Sequence, residues 1–425
     1  MSTGEDAPPR WYSGVGREQW VVLAASSAGW VFDVYEGQLF TIFKTPMLRD
    51  LTGGAGAAEV DWHANVAFAV FLVGGAVGGL GFGMLADRLG RVRVMSWTIL
   101  VYSVFSALTY FARNPLEVDV LRFLVALGTG GEWAVAAALV AETFPTRARA
   151  FASGTFHASS VLGAALASLT GIYLVGPGAW RYGFLLGLAP ALLTLWIRWG
   201  LKEPEGWRQS HAAGSEPAGS LRELLGDPRW RGRAWLGLAL ASVGLATYWG
   251  IFAWGPELAG EVLGPDVSPA ERQSSSSFAY LIMNFTGGLL GLLAFAPLAQ
   301  SLGRRGAFVV YHLGAAAAAP AAFLLSRSYT DALILLPVMA FFVVGMHAGY
   351  AVYLPELFPT RLRASGSSFC FNVGRVVGAS VLLVRGALGA SLGMRYGVVV
   401  LSGLFLVGLA VLAFVPETRG RELAD

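Results

Sequence analysis

Glu142-Thr143-Phe144-Pro145-Thr146-Arg147-Ala148-Arg149 returns 214 positions later as Glu356-Leu357-Phe358-Pro359-Thr360-Arg361-Leu362-Arg363. Each copy closes one long apolar segment and opens another, so the chain reads as two related halves. Solenoids and propellers repeat with periods of roughly 20 to 50 residues, far shorter than this one.

Composition identifies the solvent. Of the 425 residues, 55% are hydrophobic and only 13% charged. A water-soluble fold would lack the polar surface to cover itself, whereas lipid requires none, so an all-α membrane protein is expected. The net charge of +3 would suggest nucleic acid in a soluble protein, but here the basic residues sort by loop and no nucleic-acid partner is expected. The single cysteine, Cys370, excludes an intramolecular disulfide and a multi-cysteine metal site and reads as a packing residue. Residues 1 to 19 are polar and hold no cleavable leader, so the first apolar segment is expected to remain as a helix.

Apolar runs of roughly 20 residues, enough to cross a bilayer as helix, occur at Trp20 to Ile42, Trp62 to Leu85, Val94 to Phe111, Val118 to Ala141, Phe151 to Leu174, Trp180 to Gly200, Trp235 to Leu258, Phe278 to Leu298, Ala307 to Leu325, Ala332 to Leu354, Ser365 to Val384 and Tyr396 to Val415. Six of the twelve fall in each half. This gives an amino-terminal half over 1–200, a cytoplasmic linker over 201–233 and a carboxy-terminal half over 234–425. The linker carries Glu203, Pro204, Gly214, Ser215 and Pro217, and its amphipathic patch Leu221-Arg222-Glu223-Leu224-Leu225 reads as a short surface helix. With both termini on one side, the segments there hold 20 Lys and Arg against eight opposite. Positive charge is retained in the cytoplasm, so both ends are expected there. Duplicated halves of this kind are how many carriers build a site at the bilayer midplane.

Between helices 2 and 3 stands Gly81-Phe82-Gly83-Met84-Leu85-Ala86-Asp87-Arg88-Leu89-Gly90-Arg91, echoed by Leu302-Gly303-Arg304-Arg305 between helices 8 and 9. Small residues let helices approach closely, and Asp87 can cap a helix end and pair with arginines. Asp87, Arg88 and Arg91, with Glu142, Arg147, Glu356 and Arg361 of the duplicated motif, read as a conformational latch. The loop resembles the signature loop of the major facilitator superfamily, and the resemblance covers nearly the whole chain. It implies twelve transmembrane helices in two six-helix halves, a monomer and the inner (cytoplasmic) membrane. Pro416-Glu417-Thr418-Arg419-Gly420 and, loosely, Glu203-Pro204-Glu205 resemble motifs of sugar porters.

The charges inside the spans carry the functional reading. A charge such as Glu132 near the middle of helix 4 costs roughly 2.5 to 3.5 kcal/mol even on the lenient insertion scale, so something must offset it. Arg122, ten residues away and so about 15 Å along the helix, cannot be its partner; it either meets substrate or snorkels. The stretch from Arg122 to Trp133 is similar to a pattern of the metabolite:proton and sialate/lactate:proton symporter branches, with Ala126 departing from it. On helix 1, Asp33 and Glu36 share a face at i, i+3, and two like charges there cannot both ionise cheaply, which suits a proton carrier. This resembles the Asp-x-x-Asp of aromatic-acid and sialate/lactate:proton symporters, with Glu36 in the second place. The bland alternative is an acid that merely pairs with an arginine of another helix.

Helix 11 adds Asn372 and Arg375. A buried guanidinium forks well onto a carboxylate: either that of a helix 1 or helix 4 acid, or that of an anionic substrate. In the family resembled, the cavity-lining helices would also bring in Tyr35, Tyr248, Asn284 and His347, along with His157, Trp249 and Tyr350. The expected function is proton-coupled symport of a small organic anion by alternating access. Asp33, Glu36 and Glu132 would couple protons, and Arg375, Arg122, Asn372, Tyr35, His347, Tyr248 and Asn284 would meet substrate. A carrier of a neutral sugar or polyol is the alternative, and a non-transporting membrane sensor the reading from another class. No nucleophile with its base, paired metal ligands or phosphate loop is present, so no enzyme activity, cofactor or metal is expected.

Overall fold

Inside a bilayer every backbone N–H and C=O must be satisfied within its own segment, which for these long apolar runs means helix. The computed structural model describes residues 11–174, 176, 178–212 and 218–423; residues 1–10 of the polar amino-terminal stretch and Gly214, Ser215 and Pro217 of the linker lie outside them. Among the described residues twelve long helical spans follow one another. They are α1 Arg17–Leu51, α2 Ala57–Leu89, α3 Arg91–Leu108, α4 Pro115–Thr143, α5 Thr146–Tyr173, α6 in two pieces (Ala179–Leu186 and Pro190–Gly200), α7 Pro228–Glu261, α8 269–302, α9 304–325, α10 Tyr329–Glu356, α11 363–392 and α12 394–412. This is the all-α membrane architecture expected.

Among the described residues eight stretches are apolar and long enough to cross by length and composition alone. One of them, Glu271–Leu325, has 55 residues, well over twice the roughly 20 a single crossing takes. Gly303, at φ 82°, folds it into α8 and α9, and Gly393, at φ 77°, likewise separates α11 from α12. Only glycine adopts that backbone routinely. By contrast α1 is too polar for such a test, carrying Asp33, Glu36 and Lys44, and α6 is too broken, its ladder interrupted before Pro190.

Helix starts follow local chemistry. Asn114, Asp227 and Ser268 each precede a proline at the first helical position and accept a hydrogen bond from a first-turn amide, at 2.9, 2.8 and 3.2 Å. The Asp227 cap starts α7 at Pro228, so Arg229, Arg231 and Arg233 belong to its first turns and the linker is shorter than the 201–233 expected. What remains of it forms two short helices, Glu205–Ala212 and Leu221–Gly226.

The duplication extends beyond the quoted motif. Arg181, starting α6, donates to the carbonyls of Tyr110 and Ala112 at 2.6 and 2.9 Å. Arg395, starting α12, donates to those of Phe323 and Ser326 at 2.9 and 2.8 Å. Each staple ties the last span of a half to the end of its third.

Helix α2 packs between the halves. Gly74 and Gly78 face α4 so closely that a Cβ would run into the backbone of Phe123 and Leu127. One position on, Gly75 and Gly79 face Arg375 and Asn372 of α11. Two interleaved small-xxx-small registers thus present two faces, one to its own half and one to the other. Gly78→Ala is expected to cost at least the 1 to 3 kcal/mol of an overpacked core, lowering the melting temperature of the detergent-solubilised chain. Gly81→Ala, with no atom within 4 Å of its Cβ, should leave it unchanged.

Candidate functional site

Three acids lie buried in the first half, and the structure gives each a different neighbour. Glu36 receives Arg122, Nη1 to Oε2 at 2.7 Å, with both side chains almost sealed from solvent. The guanidinium is also covered by the rings of Phe40 and Phe71, at 4.5 and 4.1 Å from their centroids. Arg122 therefore does not snorkel; it is the counter-ion of a helix 1 acid. Glu132 accepts from the Thr98 hydroxyl at 2.7 Å and lies against Gly29, where a Cβ would collide with its carboxylate. Asp33 has neither: among the described residues it makes no hydrogen bond or ion pair, and its Oδ2 is buried without a partner. It lies within electrostatic range of Glu36 and Glu132 in its own half and of Arg375 across the seam between the halves.

Arg375 is half-buried and, among the described residues, makes no hydrogen bond or ion pair. Its guanidinium stands 5.4 Å from the Phe371 ring. Phe371 in turn stacks on Trp133 of α4, centroids 3.8 Å apart. Asn372 donates to the Gly130 carbonyl of α4 at 2.9 Å and to Ser368 at 3.0 Å, leaving its Oδ1 buried and unpartnered. Residues Phe369–Val373 form a π-helical turn, and Met283–Gly288 of α8, which holds Asn284, forms another. Such turns re-aim side chains and recur at functional sites.

Two histidines meet across the same seam, rings 6.5 Å apart. His157 Nδ1 accepts from Trp133 Nε1 at 3.1 Å. His347 Nδ1 sits 3.1 Å from the Val343 carbonyl, and its Nε2 has no partner. Tyr248 packs on His347 at 5.4 Å, and Trp249, whose Nε1 is also unpartnered, meets Phe68 of α2 at 5.5 Å.

Not every expected substrate residue is here. Tyr35 is buried against α5, its hydroxyl 3.3 Å from Thr170, and Asn284 donates to the carbonyl of Tyr280 within its own helix at 2.9 Å. Tyr350 spends its hydroxyl on the Leu240 carbonyl inside the second half, while its ring borders the site 5.5 Å from that of His347.

At the end of the bundle holding the duplicated motif, the halves are tied together. Arg91 bonds Glu142 through two N–H groups at 3.0 and 2.8 Å, pairs with Asp87 at 3.1 Å and donates to the Thr360 carbonyl of the other half at 2.6 Å. Arg363 reaches across to Glu142 at 2.7 Å. Asp87 accepts from the Ala364 and Ser365 amides at the start of α11, at 3.0 and 2.9 Å, and from the Ser365 hydroxyl. A helix N-terminus favours such an anion.

The second half repeats this arrangement inexactly, and that corrects the expectation for Arg147. Arg304 bonds Glu356 at 3.0 and 2.8 Å, within the same half. The place of Asp87 is taken by Gln300, which donates to the Arg147 carbonyl at 3.0 Å. Arg147 joins only through its backbone, its side chain being exposed; the buried arginines are the second of each motif, Arg149 and Arg363.

The linker joins the latch. Arg88 donates to the Ala218 carbonyl at 2.9 Å, Trp207 to that of Asp87 at 2.9 Å, and Arg361 to Glu223 at 2.8 Å. Glu203 bridges the Val92 and Arg93 amides at 3.1 Å, as Glu417 bridges those of Arg304 and Arg305 at 2.9 and 3.0 Å. Burial alone would raise the Glu417 carboxyl, but these amides and those of Thr418 and Arg419 hold it below its ordinary value. The porter-like motifs thus act as paired clasps on the turns at Gly90 and Gly303.

Residues 22–382 match the family model of the Major Facilitator Superfamily, and the chain belongs to that family: it is a multi-pass membrane transporter and not an enzyme. A protein of Cupriavidus pinatubonensis named "Probable 4-methylmuconolactone transporter" is 33% identical to it over 96% of this chain and 93% of its own. The cis,cis-muconate transport protein of Acinetobacter baylyi is 28% identical over 82% and 84%. The solved structure of the proton:xylose symporter XylE superposes with a TM-score of 0.76 at 17% identity, covering 96% of this chain and 98% of that one; at that identity the likeness shows the fold alone.

Glu142 is the carboxylate that two arginines from opposite halves share, and breaking a buried pair of this kind costs about 3 kcal/mol. Glu142→Gln should therefore shift the closed-to-open ratio at this end roughly hundredfold. A cysteine pair reads that ratio, since a Cβ at Gly83 would stand 3.0 Å from that of Ser368. In a Cys370→Ser background, Gly83→Cys with Ser368→Cys should cross-link readily, and adding Glu142→Gln should slow it sharply. An unchanged rate would mean that Glu142 does not hold the halves together.

Proposed function

We propose that the protein is a proton-coupled symporter of a small organic anion, a carboxylate, working as a monomer by alternating access in the cytoplasmic membrane with both termini inside. The observation that carries the reading is Arg375: a half-buried guanidinium at the seam which, among the described residues, makes no hydrogen bond or ion pair, and in electrostatic range of it Asp33, a buried acid that among them makes none either. A cargo carboxylate that takes Arg375 removes the counter-charge Asp33 would otherwise feel. Asp33, beside Glu132 in a low-dielectric site, then takes up a proton, because an isolated buried carboxylate costs more than a protonated one. One group thus serves two anions in turn, and that exclusivity couples the fluxes. A monoanion moving with one proton is electroneutral, so the membrane potential neither drives nor opposes it.

In this mechanism the Arg122–Glu36 pair holds α1 to α4, Glu36 also standing as a like charge beside Asp33 with Glu132 as a third acid in range, and His347, Trp249 and Asn372 offer unpartnered polar atoms to the rest of the cargo. The names of the two relatives, one for a lactone and one for muconate, fit small unsaturated acids. A neutral sugar or polyol would leave the Arg375 charge unmet.

Uptake of labelled carboxylates into proteoliposomes tests the proposal. The wild type should accumulate the right acid when a pH gradient is imposed. Asp33→Asn should still bind it but lose gradient-driven accumulation. Arg375→Ala should weaken binding by about 2 to 5 kcal/mol, the cost of truncating one partner of a charge pair. Gradient-driven accumulation by Asp33→Asn, or a cargo indifferent to Arg375→Ala, would contradict it.

A further inference from the structure

The outer face of the first half carries a crevice of about 600 Å³ between α3 and α6, lined by Ser96, Trp97 and Leu100 on one side and Leu188, Ala191, Leu192 and Thr194 on the other. It lies where α6 is interrupted before Pro190. The second half, related by the 213 to 214 residue repeat, closes the same seam. Phe405 stands in the register of Ala191 and His312 in that of Ile99; both are buried, with rings 6.3 Å apart, and a Cβ at Gly408 would collide with His312. The first half has an alanine where the second has a phenylalanine, and the volume is left open towards the membrane.

At the start of α3, one turn before Ser96 of the lining, stand two cations, Arg93 and Lys202, with the single carboxylate of Glu203 between them in sequence or contact. Arg93 precedes Ser96, Trp97 and Leu100 at the i, i+3, i+4, i+7 spacing of one helix face. Lys202 is the chain neighbour of Glu203, whose carboxylate bridges the Val92 and Arg93 amides at 3.1 Å. Both cations are exposed, and among the described residues neither forms a salt bridge. From Arg93 to Leu100 the helix rises about 10 Å, within the roughly 15 Å depth of one leaflet's hydrocarbon.

We propose that this crevice is a binding site for one anionic phospholipid: an acyl chain between α3 and α6, with its head group on Arg93 and Lys202. A net positive cluster on the helix face that continues the lining, and an apolar lining beyond it, match such a lipid end for end, and basic pockets between transmembrane helices take acidic head groups in this way. Bound there, the lipid braces the α3 turn that Glu203 clasps and so adds to the latch at that end.

The full chain, reconstituted in phosphatidylethanolamine vesicles with a minor fraction of brominated phosphatidylglycerol, tests this through quenching of Trp97, taken as the difference between the wild type and Trp97→Phe. Quenching should exceed that expected from the bulk lipid fraction and exceed that from brominated phosphatidylethanolamine at the same fraction. Ala191→Phe, which copies the closed seam of the other half, should remove the excess. Arg93→Gln with Lys202→Gln should weaken it about 30-fold, each cation contributing about 1 kcal/mol near a membrane surface. Quenching that follows bulk composition, or is equal for both head groups, would overturn the proposal. So would protection of Trp97 from both lipids in a chain that runs as a dimer, since a second copy would then fill the crevice.

Discussion

A carboxylate sealed inside a bilayer must find a cation, a hydrogen-bond donor or a proton, because water is not there to supply any of them. The first half holds three such acids within a few turns of α1 and α4, and each meets the requirement differently. Glu36 has Arg122 at 2.7 Å, and Glu132 has the Thr98 hydroxyl at 2.7 Å. Asp33 makes no hydrogen bond or ion pair among the described residues and has Arg375 in electrostatic range across the seam. Of these three acids, the one in range of a cation on the other half is thus the one left without a partner among the described residues, and its neutralisation is tied to how the halves meet.

The motif end obeys the same constraint with the opposite outcome. There every buried charge is met within the protein, Glu142 by Arg91 and Arg363 and Asp87 by Arg91 and the start of α11. Satisfied charges hold; an unsatisfied one is free to respond. The latch is also uneven. Asp87 docks on a helix start of the other half, whereas its counterpart Gln300 offers a single amide hydrogen bond to the Arg147 carbonyl. The stronger tie lies between α2 and α11, the helix that also carries Arg375, so the seam charge and these contacts share one helix, with the π-helical turn between them.

Much of this was legible in the sequence. The twelve spans, the duplication and the latch motifs follow from apolar length, a repeated string and small residues beside charges. What could not be read depends on direction and distance. Two arginines two positions apart look alike in sequence, yet only Arg149 and Arg363 point inward after the proline that precedes each helix. The π-helical turns at Phe369–Val373 and Met283–Gly288 leave no mark on hydrophobic periodicity. The break in α6 was visible as Pro190, but a single proline inside a span does not separate a kink from an interruption. Which acid takes which partner was hidden entirely, because Thr98, Arg122 and Arg375 reach theirs across helices far apart in the chain.

The claim that Asp33 and the cargo compete for one guanidinium is tested most directly by titration calorimetry of the purified chain. The carboxylate selected by the uptake assay is titrated in buffers of different ionisation enthalpy, which counts protons exchanged on binding. The wild type should take up close to one proton per cargo bound, and Asp33→Asn should take up none. Binding without proton uptake in the wild type, or the same uptake in both, would contradict it.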